Sequence, residues 1–75
     1  MKVKLVKVVD GVGLYEAPRH LVYAEPLYVV YKAGGKVDAA TTKVLYDGER
    51  WLMPLPAEEA EVELIYVGSV ESLRG

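Results

Sequence analysis

Apolar and polar residues alternate along this chain in short runs. That period of two predicts half-buried β-strands rather than helices. Strands are expected near residues 2–9, 12–17, 20–24, 27–32, 36–46, 49–53 and 61–67. Turn-forming residues punctuate the runs at Asp10-Gly11, Pro18, Pro26, Gly34-Gly35, Asp47-Gly48, Pro54, Pro56 and Gly68. Such close spacing is the mark of an all-β sandwich or barrel. Asp-Gly in "LYDGERW" and Gly-Gly in "VVYKAGGKV" predict two hairpins, and "VVDGVG" a third.

The alternation also fixes faces. Lys2 and Lys4 share one side of the first strand and Val3 and Leu5 the other, yet Lys7 falls with the apolar set. A β-bulge near Leu5-Val6 would return Lys7 to solvent. With Asp47-Gly48 as a two-residue turn, Val44, Trp51 and Met53 share the core face, and Trp51 is expected to be buried because it carries the largest apolar area. Lys43, Arg50, Leu45 and Leu52 take the other face, and Pro54 is expected to end the strand. The segment "LPAEEAEVELIYVG" mixes helix signals with alternation. Its expected form is a single helical turn at 56–60 followed by a strand. Lys2 and Lys4 at one end of the chain complement Glu61 and Glu63 at the other, so the first and last strands are predicted to be neighbours.

Composition narrows the fold class. Thirteen valines, with Tyr and Trp as the only aromatics, suit a pleated surface. The expectation is one domain spanning 1–75: a small, partly open, all-β barrel of SH3-like or OB-like character, built from hairpins, with at most a short C-terminal helix after Gly68. An α+β fold follows if 56–67 is helical. The absence of cysteine excludes disulfides, and with His20 as the only histidine a conventional zinc site is excluded too. No metal or cofactor is expected. The lack of Cys, Asn and Gln beside abundant Lys, Glu and Arg matches the thermophile pattern. Lys2, Lys4 and Lys7 interrupt any signal-peptide core, and the apolar run at 27–31 is too short to span a bilayer. A cytoplasmic protein without membrane contact is expected.

Candidate chemistry is sparse, and no catalytic residue is assigned. Ser69 and Ser72 lie far along the chain from His20, whereas a nucleophilic triad needs its members within hydrogen-bond reach. Glu58, Glu59, Glu61 and Glu63 form a polar run that reads as a solvated face. In "APRHLVYAEP" the candidate ligand contact is Arg19, His20 and Tyr23, against the plainer reading of an edge strand blunted by proline. Six tyrosines, Trp51 and a lysine-rich first half raise single-stranded nucleic-acid binding, which the acidic net charge opposes. That charge is unevenly spread: seven basic and four acidic side chains in residues 1–43, two and seven in 44–75.

One run points to a partner. "LYVVY" at 27–31 is apolar on both faces, with Leu27, Val29 and Tyr31 on one and Tyr28 and Val30 on the other. Continuous apolar character implies cover on both sides, either from residues 56–75 or from a second copy. The expected arrangement is a homodimer with Tyr28 or Tyr31 in its interface. The leading function is therefore a non-enzymatic module acting through protein–protein contacts. Single-stranded nucleic-acid binding is the alternative, and a small enzyme or enzyme subunit comes last.

Overall fold

The computed structural model describes residues 1–21 and 26–70. Its strands are β1 (Lys2–Val9), β2 (Val12–Glu16), β3 (Leu27–Ala33), β4 (Lys36–Thr42), β5 (Leu45–Tyr46), β6 (Trp51–Leu55) and β7 (Glu61–Ser69). They form one antiparallel sheet in the order β4-β3-β7-β1-β2-β6-β5. The all-β expectation holds. Asp10-Gly11 and Gly34-Gly35 are two-residue hairpin turns with positive φ throughout, the geometry that matches strand twist.

The expected bulge organises the sheet. Leu5 pairs with Tyr15 but Lys7 pairs with Leu14, so Val6 is the extra residue and Lys7 reaches solvent. Ahead of the bulge, Lys2, Val3 and Lys4 pair with Glu63, Val62 and Glu61 of β7. Beyond it, β1 runs only alongside β2. A bulge bends its strand and increases local twist, so β1 serves both halves of the sheet. The terminal strands are neighbours, as the charge pattern predicted. Lys2 Nζ lies 3.9 Å from Glu61, an exposed pair whose contribution is at the low end of about 0.2–1 kcal/mol.

Curling brings the distant ends of the sheet together. The Thr42 hydroxyl, at the end of β4, donates to the Pro54 carbonyl in β6 at 2.6 Å, while β4 and β5 remain the sheet edges. Tyr15, Val29, Met53 and Val62 have no exposed surface and, with Val3, Leu27, Leu55 and Leu64, fill the space enclosed.

Four expectations need correction. Residues 19–21 form a 3-10 turn, not the start of a strand, because the Leu21 N–H bonds back to the Pro18 carbonyl at 3.0 Å and Leu21 packs into the core; residues 22–24 lie outside the described part. The 36–46 strand is broken at Lys43-Val44, where the chain leaves β3 for β6 and drops Val44 into the core. Pro54 does not end β6. Its carbonyl faces Thr42 rather than β2, so its nitrogen, on the same side of the strand, is not called on to donate an N–H to the β2 ladder. Finally, 56–60 is not helical. Backbone groups that a helix would use bond elsewhere: Glu59 O accepts from the Tyr15 hydroxyl at 2.7 Å, and Ala60 O from the Leu5 N–H at 2.9 Å. The α+β alternative falls with it. β7 continues through Ser69, and the short helix expected after it falls largely on residues 71–75, outside the described part. Among the described residues no helix is long and apolar enough to cross a membrane.

Candidate interaction surface

The alternation along β3 sends its two candidate tyrosines opposite ways. Tyr31 points inward and is 2% exposed, so it takes no part in the outer face that β3 shares with β7. Tyr28 points outward, half-buried, and its ring meets that of Tyr66 on β7 with centroids 6.4 Å apart and planes tilted by 58°. Tyr66 is 46% exposed. The Tyr66 ring lies over Gly68, where an added Cβ would come within 2.5 Å of its hydroxyl. Glycine thus lets a tyrosine lie flat on the sheet. Val30 pairs with Tyr66 on one side and Ala39 on the other, which makes the patch continuous and apolar. A second register shift at Val30/Tyr31 leaves Ile65 without a partner in the ladder, also exposed.

Arg19 and His20 both reach the surface on the 3-10 turn but do not converge. Arg19 borders a groove of about 510 Å³ with Lys2, Lys4 and Glu16. His20 borders another, of about 250 Å³, with Leu64, Ile65 and Tyr66. Tyr23, the third member of that candidate contact, lies outside the described residues. His20 therefore adjoins the tyrosine patch, and Arg19 does not.

A second aromatic pair was missed by sequence reasoning. The loop after β5 spans four residues, Asp47 to Arg50, and Tyr46 pairs with Trp51. The Asp47 carboxylate accepts the Glu49 and Arg50 backbone N–H groups, each at 2.8 Å. Trp51 is 40% exposed, not buried, and stacks on Tyr46 with centroids 4.8 Å apart and planes tilted by 41°. Of the three residues expected on the core face, Val44 and Met53 are buried and Trp51 is not. The core, however, ends at Met53. β5 is a two-residue edge strand, and among the described residues no third strand stands beyond it to cover the indole. Leu52, expected on the outer face, is buried as well. The polar Glu49-Arg50 step before Trp51 was the available signal, because it fits a longer loop as readily as a strand.

In comparisons with family models, curated proteins and solved structures, the chain matches none. Among the described residues no group of three or more His, Asp or Glu side chains is placed to hold a metal ion. Two buried phenols stand out instead. The Tyr15 pKa is raised, first by burial and then by the nearby Glu59 carboxylate, and that of Tyr31 by burial and then Asp38. Both therefore stay neutral. Tyr15 donates to the Glu59 carbonyl, whereas the Tyr31 hydroxyl has no partner among the described residues.

Proposed function

We propose that this chain is a non-enzymatic interaction module that acts through protein–protein contacts and self-associates as a homodimer over the outer face of β3 and β7. The carrying observation is the Tyr28–Tyr66 pair, two adjoining rings on a sheet face beside Val30 and next to Ile65. Tyrosine is enriched at the centres of interfaces, where it brings apolar area and a polar tip together. A two-fold arrangement sets the same patch against itself and is the commonest closed assembly. Opposite net charges on the two halves of the chain favour steering between copies. The absence of Cys, Asn and Gln supports a thermophilic source, and a cytoplasmic setting is consistent with the sequence.

Sedimentation velocity at tens of micromolar, an order-of-magnitude choice for a weak dimer, tests the reading. The expected result is a dimer that Tyr66→Lys returns to monomer without lowering Tm. A single species of 8.3 kDa across the concentration range overturns it. One observation favours a second reading. The exposed Tyr46–Trp51 stack is the kind of platform on which bases stack. Affinity for an oligonucleotide that falls steeply with salt and is lost in Trp51→Ala would favour single-strand binding instead.

A further inference from the structure

The unpartnered Tyr31 hydroxyl belongs to a cleft that the dimer face does not use. Tyr31 and Ala33 of β3, the start of β4 and the 56–59 connection line an open cleft of about 210 Å³. Around it stand the carboxylates of Asp38, Glu58 and Glu59, with Lys36 as the one opposing charge. Among the described residues none of the three carboxylates makes an ion pair. A buried hydroxyl without a partner is costly, so its oxygen is open to a donor from outside the chain.

The cleft is built rather than incidental. Tyr15, fully buried, holds the 56–59 connection in place through its bond to the Glu59 carbonyl. The Glu59 side chain reaches across to the β3–β4 turn. There it lies over Gly34, where an added Cβ would stand 2.9 Å from its carboxylate oxygen. Gly34 also has φ of +59°. The same glycine therefore makes the turn and admits the carboxylate that closes one wall.

Excess negative charge around a neutral phenol selects a cation, and the volume exceeds that of a bare ion. The geometry points to a binding site for a primary alkylammonium group, whose three N–H donors are taken by the Tyr31 hydroxyl oxygen and two of the surrounding carboxylates while its methylenes lie along Ala33 and Pro56. The ammonium can come from a free small amine or from a lysine side chain of another protein.

Titration of the intact chain with 1,5-diaminopentane and with Nα-acetyl-lysine methylamide, followed by amide NMR shifts, tests the site and separates the two sources. Saturable shifts at Ala33, Asp38 and Ala57 are expected with one or both amines, and none with neutral 1,5-pentanediol. Tighter binding of the lysine analogue identifies a side chain as the occupant, and tighter binding of the diamine a free amine. Tyr31→Phe removes an unsatisfied group and should fold at least as stably, yet bind about tenfold more weakly, as loss of a hydrogen bond to a charged group implies. Glu58→Gln, an exposed change, should weaken binding as well. No saturable shift with either amine, equal shifts with the diol, or full binding by both variants would overturn the proposal. Each outcome is independent of whether the chain dimerises.

Discussion

The same dipeptide, Asp-Gly, turns the chain twice and does so differently. At Asp10-Gly11 both residues have positive φ, 50° and 78°, and Val9 pairs directly with Val12 across the turn. At Asp47-Gly48 only the glycine does, at 104°, and the loop takes in Glu49 and Arg50 before Trp51 pairs with Tyr46. Asp47 caps its own loop with two backbone bonds, and the Tyr46 hydroxyl adds a third to Gly48 O at 3.0 Å. The neighbours also differ. β2 is held on both sides, by β1 and β6, while among the described strands β5 has β6 alone. Asp-Gly thus announces a hairpin, but the strands beside it decide how many residues the loop holds and what the flanking side chains meet.

The largest test of that contrast compares two residues of β6. Met53, opposite fully buried Tyr15, should cost about 2–5 kcal/mol when changed to alanine. Trp51→Ala should cost less than about 1 kcal/mol, as for other surface positions. Urea denaturation gives both values, and a greater loss at Trp51 would mean that the β5–β6 end is part of the core after all.

Next come the two glycines. Neither meets any atom where a Cβ would stand, so only backbone strain matters. Gly11→Ala should lower global stability by about 1–2 kcal/mol, because its hairpin is sewn into the sheet. Gly48→Ala sits at a harsher φ, yet the edge loop can open locally. Its global cost should be smaller than that of Gly11→Ala, with the main change in Trp51 fluorescence. Equal costs would erase the distinction between sewn and edge hairpins.

The smallest effect is on pH. Backbone N–H bonds from Arg50 and then Glu49 hold the Asp47 carboxyl below its ordinary value of 3.8. A depressed folded-state pKa stabilises the loop above the unfolded value and loses that contribution as pH falls through the folded one. Trp51 emission should therefore be flat from neutral to about pH 5 and step below about pH 4, the ordinary carboxyl range. Asp47→Ala should abolish the step.

Local rules read most of this fold. Lys7 on the wrong face required the bulge, and the lysines and glutamates at the two ends required β1 beside β7. In "LYVVY" the alternation separated Tyr28 from Tyr31, although burial then left only Tyr28 at the surface. Misreadings came where a residue answers to something distant in sequence. Trp51 is exposed because, among the described residues, no strand stands beyond β5. The 56–60 segment, strong in helix signals, is irregular rather than helical because Tyr15 and Leu5 claim its carbonyls. The cleft under Glu59 joins three separate stretches of chain, and no spacing along the sequence could have announced it.

The bulge at Val6 has a consequence in time as well as in space. It divides β1 between β2, which follows it immediately, and β7, which is separated from it by five other strands along the chain. The leading half of β1 therefore waits for its partner strand until Val62 is available. Topologies dominated by such distant pairings fold slowly for their size, in roughly milliseconds to seconds. During that interval Lys2 and Lys4 guard the open flank, since charge on a waiting strand discourages pairing with the wrong chain.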